Sequence, residues 1–249
     1  MSTGDTEHNA SMRDFWDEKA RENAMYYISS YRAYDQQDPE EFWKWGGILA
    51  EKFLAESGVK LTGEEAMLEI GCGVGRMTKT FAGRFHHVTA IDVSSEMIQR
   101  AREYLSEIEN VRLDVGNGSD LSAYSDASFD FVFSYIVFQH IPDTTITLNY
   151  IREAGRVLRP GGHFYFQVNA MPRAGALRVS LTKVKRTILG KRASPEDNAQ
   201  GPRDLDHPAW QGSRVSMAEV ETAAHAGGLA IAGVKDQGTQ YTWVLARRS

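Results

Sequence analysis

The chain has 249 residues, 42% of them hydrophobic, which is enough to bury a substantial core and excludes a wholly disordered protein. With 28 basic against 33 acidic residues the formal charge is -5, so the molecule as a whole offers no general attraction to nucleic acid or anionic membrane. The single cysteine, Cys72, excludes an internal disulfide and a cysteine-rich zinc site.

Residues 1–12 are polar and read as a disordered tail, with neither the basic start nor the apolar stretch of a signal peptide. With no run of ~18 apolar residues elsewhere, the expectation is a soluble, cytoplasmic protein that is not membrane-bound. Residues 13–249 read as a single domain, opening with a helical cap over 13–58. Its first helix is expected over about 13–30 and its second over about 39–57, where Asp38 and Pro39 form a start signal and Gly58 a stop. The aromatic residues between Phe15 and Trp45 mostly pack these helices down, and a minority line a pocket.

From residue 66 short apolar runs alternate with amphipathic stretches. AMLEI precedes a helix near 75–83, HVTAID one near 94–106, and VRLDV follows. FDFVFSY precedes a helix near 144–158, and HFYFQV follows the Pro160-Gly161-Gly162 turn. This rhythm predicts a parallel α/β sheet covered on both faces. The end differs: a capped helix in SMAEVETAAHAGG, then LAIAGVKD and YTWVLARR as an antiparallel pair. Residues 169–214 exceed what such a sheet needs. From Met171 to Pro195 they carry seven basic residues and no acid, and apolar residues at helical spacing predict a basic amphipathic lid.

The glycine loop in LEIGCGVGR decides the ligand class. Gly71, Gly73 and Gly75 are spaced G-x-G-x-G, and Arg76 stands where a dinucleotide fingerprint needs its third glycine. Glu69 at the end of the strand disfavours a pyrophosphate and favours a cationic nucleoside, while Asp92 closes the next strand where an acid accepts both ribose hydroxyls. A ribose with a positive charge suggests S-adenosylmethionine.

Four elements in order resemble the class I S-adenosylmethionine-dependent methyltransferases: LEIGCGVG, AIDVS with Met97, SFDFVFSYIVFQHIPD and IREAGRVLRPGGHFYF. The resemblance implies a Rossmann-like, doubly wound, seven-stranded sheet, mostly parallel with an antiparallel C-terminal strand. It implies that Glu69 and the backbone at Gly71, Cys72, Gly73 and Gly75 hold the methionine end, that Asp92 holds the ribose, and that Val93 and Met97 flank the adenosine. Asn117, beside Gly118, stands where the family has an acid for the adenine amino group, and Ser134 offers its carbonyl to the ligand's amino group. Asp114 reads as an acid facing solvent or a turn.

Methyl transfer to a hydroxyl needs alignment, exclusion of water and removal of a proton. His140, just past the fourth strand, is the candidate general base, with a structural histidine as the competing reading. Tyr135, Gln139, His207 and Trp210 are weaker substrate candidates, and shaping a loop is the favoured role for His207. No H-E-x-x-H or EF-hand spacing points to a protein-built metal site. SYIV replaces the Asn/Asp-Pro-Pro-aromatic stretch suited to planar amino groups, so the expected acceptor is a small hydroxylated metabolite, sugar or natural product. Nucleic acid is not an expected partner. The alternatives are a macromolecular methyltransferase gripping its substrate through the basic insertion and a catalytically silent cofactor-binding module. The sequence leaves oligomeric state open.

Overall fold

The computed structural model describes residues 3–29, 33–172 and 204–249, with side chains from residue 11. The basic stretch expected to form a lid lies almost wholly outside the described residues.

Helix α1 spans Thr3–Ile28, interrupted at Asn23 by extended backbone, and α2 spans Pro39–Ser57. The helix therefore starts well before residue 13, and Met12, expected in a disordered tail, is buried in the core. One apolar side chain, hidden in a polar stretch, anchors that part of the chain. Helix α2 begins and ends where its signals stand: the Asp38 carboxylate accepts from the amides of Glu40 and Glu41, and Gly58 closes it in the left-handed conformation.

The sheet contains β1 (Ala66–Ile70), β2 (His87–Asp92), β3 (Val111–Val115), β4 (Phe129–Ser134), β5 (Leu158–Val168), β6 (Leu229–Lys235) and β7 (Thr242–Arg248). Their order is β3-β2-β1-β4-β5-β7-β6. Strands β1 to β5 pair in parallel, and only β7, inserted between β5 and β6, runs against its neighbours. Strand β5 starts earlier than expected, at Leu158, and carries the Pro-Gly-Gly turn within it.

The connecting helices are α3 (Thr78–Phe81), α4 (Ser95–Tyr104), α5 (Thr144–Val157), the single turn α6 (Pro208–Gln211) and α7 (Met217–Ala226). A 3-10 turn covers Phe138–His140. The strands alternate their faces, as their period of two requires. Met67, Phe131, Phe133 and Tyr165 pack with Phe53 of α2, whereas Leu68, Val132, Phe164 and Phe166 pack with Ile151 of α5. Strand order reverses between β1 and β4, and beyond the carboxyl ends of strands at such a point an open α/β sheet leaves a crevice.

Candidate active site

A cavity occupies that crevice. It is partly open to solvent, its empty space amounting to about 1070 Å³ with the open mouth included. The strand ends contribute Ile70, Ile91 and Asp92, the glycine loop Gly71, Cys72 and Gly73, and the β4 end Tyr135, Ile136, Val137 and His140. Helix α1 closes it with Met12, Trp16, Tyr27 and Ile28.

On the β1–β2 side the loop turns because its glycines adopt positive φ, +76° at Gly71. A Cβ on Gly71 would stand 2.1 Å from Val137 Cγ2, so the loop and the β4 end can share a wall only without a side chain there. The Asp92 carboxylate accepts the Gly73 amide at Oδ2 and the Ser94 amide at Oδ1, each at 2.9 Å. A carboxylate has about four acceptor sites, which leaves capacity for two ligand hydroxyls. Burial pushes Asp92 up to about 6, against the lowering effect of those amides. A ligand bearing a diol and a positive charge answers both features, so the residues present fit S-adenosylmethionine. Val93, Met97, Gly116 and Gly118 complete this half of the lining.

Helix α1 is tied to the same half. Arg13 donates to the carbonyls of Val93 and Gly116, and the buried Asp17 accepts from Ser94 Oγ at 2.6 Å and from the Glu96 amide at 3.1 Å. Neither residue carries a local sequence signal, because their partners lie about 80 to 100 positions away.

Several expected cofactor contacts fall elsewhere. Glu69 shares the Met67 face of β1, turned away from the cavity, and accepts from Thr78 Oγ1 at 2.6 Å; burial pushes it up to about 7. Gly75 faces Leu105 and Ala101 at the end of α4. Asn117 is exposed, and its side-chain oxygen accepts from the Ser119 amide and hydroxyl and from the Asp120 amide, so it builds a turn. The Ser134 hydroxyl donates to the Ile70 carbonyl between β1 and β4, which does not engage the Ser134 carbonyl expected at the ligand. Asp114, never expected at the cofactor, pairs with Arg112 on the edge strand and accepts from Tyr124.

The acceptor half centres on His140. Its Nδ1 lies 2.8 Å from the Trp210 carbonyl, and its Nε2 lies 3.3 Å from the Gln139 amide nitrogen. A carbonyl only accepts, so Nδ1 carries the proton and Nε2 the lone pair. Burial lowers His140 below the usual imidazole range, against the raising effect of the Trp210 carbonyl, which keeps it neutral at pH 7. Trp16 packs edge-on to the imidazole, and the Trp210 ring lies 5.3 Å from it.

The segment carrying Trp210 reaches His140 because Gly212 (φ +58°) has no side chain: a Cβ there would stand 1.6 Å from the Gln139 carbonyl oxygen. Lys19 of α1, fully buried, holds the same segment through an ion pair at 3.0 Å to Asp204 and pairs with Glu22 of its own helix at 3.0 Å. His207 caps α6 by accepting the Ala209 amide and stacks on Phe15, the loop-shaping role. Tyr135 stacks on Trp243 at the cavity wall. Ile136, a β-branched residue at φ +55°, holds backbone strain of ~1–3 kcal/mol at this wall. Among the described residues no group of three or more His, Cys, Asp or Glu is placed to hold a metal ion, and no helix is long and apolar enough to cross a membrane.

Residues 68–166 match the family model described as a methyltransferase domain. The chain is 36% identical over 116 residues to the ubiquinone biosynthesis O-methyltransferase of Xanthomonas oryzae pv. oryzae, covering 45% of this chain and 47% of that protein. To the protein of the same name from Xanthomonas euvesicatoria pv. vesicatoria it is 35% identical over 147 residues, covering 58% of this chain and 59% of the other. The chain thus spans about half the length of the curated relatives it matches. Among solved structures, the geranyl diphosphate C-methyltransferase of Streptomyces coelicolor, in complex with Mg2+, geranyl diphosphate and S-adenosyl-L-homocysteine, superposes with a TM-score of 0.65 at 14% identity. That match covers 97% of this chain and 98% of that one. A phosphoethanolamine N-methyltransferase of Haemonchus contortus, with phosphoethanolamine and S-adenosylhomocysteine bound, gives 0.65 at 16% identity, covering 96% of this chain and 48% of that one. At these identities the two structures bear on the fold. Sheet order and glycine loop agree with this match to a methyltransferase domain over residues 68–166.

Proposed function

We propose that the chain methylates the hydroxyl oxygen of a small acceptor with a flat, apolar body, using His140 as general base. The observation that carries this reading is a neutral imidazole on the cavity wall, its Nδ1 committed to the Trp210 carbonyl and its Nε2 lone pair held only by a long contact to Gln139. When bound, the cofactor supplies a methyl carbon activated by its sulfonium sulfur. Asp92 and the glycine loop bind it, and the aromatic and aliphatic wall of α1 excludes water. His140 Nε2 takes the acceptor's hydroxyl proton as the oxygen attacks, and Trp16 and Tyr135 position the acceptor.

The class of acceptor follows from the lining. Trp16, Tyr27, Ile28, Ile136, Val137 and Ile141 offer a mainly apolar surface, whereas a sugar with many hydroxyls needs many polar partners. Similarity over 45% of the chain to a ubiquinone biosynthesis O-methyltransferase supports oxygen as the accepting atom.

The test is transfer of labelled methyl groups from S-adenosylmethionine into a fractionated cell extract, with extract lacking the protein as the blank. Label in small molecules, located on oxygen by mass spectrometry, is the expected result. Label in protein or RNA, or on nitrogen, overturns the reading; cofactor binding with no label from any fraction favours a silent module.

A further inference from the structure

Behind His140 lies a run of amide side chains that the reaction does not consume. Gln167, at the end of β5 and fully buried, accepts the Ile136 amide at its Oε1 (3.0 Å). Its Nε2 donates to the Gln240 carbonyl (2.6 Å) and to Gln139 Oε1 (3.1 Å). Gln139, also buried, then presents its own Nε2 to His140 Nε2 at 3.3 Å, and His140 Nδ1 meets the Trp210 carbonyl.

Both ends of this run are backbone groups whose roles are fixed. The Ile136 amide only donates, so the group facing it must be the oxygen of Gln167. The Gln240 carbonyl only accepts, which places the Gln167 nitrogen a second time. That nitrogen sets Gln139 oxygen-first, and Gln139 can offer His140 only N–H. From the other side, the Trp210 carbonyl demands a proton on Nδ1. Two independent anchors therefore specify the same tautomer.

We infer that Gln139 and Gln167 are positioning residues: they hold His140 as the Nδ1–H tautomer and disfavour its protonation at Nε2. A proton arriving at Nε2 meets the amide hydrogens of Gln139, and Gln139 cannot turn its oxygen round without setting nitrogen against nitrogen at Gln167. Gln167 cannot turn either, because Ile136 would lose its acceptor. The titratable and charged groups that share the cavity are Asp92, Arg76, Tyr27, Tyr135, Tyr150 and Cys72, while the Gln139 amide contacts Nε2 itself, at 3.3 Å. The role in turnover rests on His140 being the base; the tautomer does not.

The test uses the full chain labelled with 15N-histidine. Long-range 1H–15N spectra are recorded across pH 5 to 8.5, and the His140 signals are assigned by their loss in His140→Gln. In the unmutated protein Nδ1 carries the proton and the midpoint lies below about 6.5. Gln139→Glu replaces the donor facing Nε2 by an acceptor and is expected to raise the midpoint by about one pH unit or more. A proton on Nε2 of the neutral ring in the unmutated protein overturns the inference without any variant, as does an unchanged midpoint in a folded Gln139→Glu protein. Turnover against pH separates the two readings. If the midpoint rises and the acid limb of the rate profile rises with it, both stand; if the midpoint rises alone, the positioning role stands and His140 is not the base.

Discussion

The two halves of the cavity are assembled by different means. The cofactor half comes from a short continuous run: β1, the glycine loop and β2 occupy residues 66 to 92, and Asp92 reaches back to the Gly73 amide at 2.9 Å. The acceptor half has no continuous run. Trp16, His140 and Trp210 come from α1, the turn after β4 and the segment before α7, yet their rings lie 5.3 to 6.2 Å apart. A sheet edge can thus fix a common ligand through local motif chemistry, while the wall facing the variable substrate is built from long-range contacts.

This division makes separable predictions. The largest effect belongs to His140→Ala, which removes the proposed base and is expected to lower turnover by ~10²–10⁴ while calorimetry shows cofactor affinity unchanged. Next is Asp92→Ala. Hydrogen bonds to a charged group contribute ~1.5–3 kcal/mol each, so loss of even one to a ribose hydroxyl weakens cofactor binding by about 10- to 100-fold. Smaller again is Gly71→Ala, where left-handed backbone costs ~1–2 kcal/mol and the new methyl meets Val137. A fall in Tm of about 2–8 °C, together with weaker cofactor binding, is the expected reading.

The smallest effect is one of pH. Asp92 is pushed up to about 6 and Glu69 to about 7, both chiefly by burial. Raised acids favour the folded state in their protonated form. Their contribution to the stability of the cofactor-free protein is present below their unfolded values and is lost as pH rises through about 6 to 7. A cationic ligand prefers the ionised acid, so cofactor affinity is expected to rise over the same interval, with proton release detectable by calorimetry in two buffers. Asp92→Asn should remove most of that release.

The legibility of the sequence followed the same division. The alternation of strands and helices and the turn at the glycine loop could be read because each depends on neighbours within a few residues. Two residues of this half are engaged by the fold itself, with plain causes. Glu69 was expected at the ligand because it closes the strand, but alternation along β1 puts it on the face where Thr78 meets it. Asn117 was expected at adenine, but its oxygen is used by the turn it forms. In the acceptor half His140 and Trp210 could be picked out as residue types, while their contact through a backbone carbonyl left no pattern. Gln167 was invisible, since a buried glutamine at a strand end reads as a break in an apolar run. Asp17 and Arg13 were equally hidden, their partners being the far loops that α1 crosses.

The most direct test of the central claim is to measure cofactor affinity and single-turnover methyl transfer on the same samples of His140→Ala and Asp92→Ala. The structure predicts a clean split: His140→Ala binds cofactor normally and transfers the methyl group slowly, whereas Asp92→Ala binds it poorly but transfers it near the normal rate at saturation. Full single-turnover transfer in His140→Ala, or loss of cofactor binding in both variants, would contradict the assignment of the two halves to the two tasks.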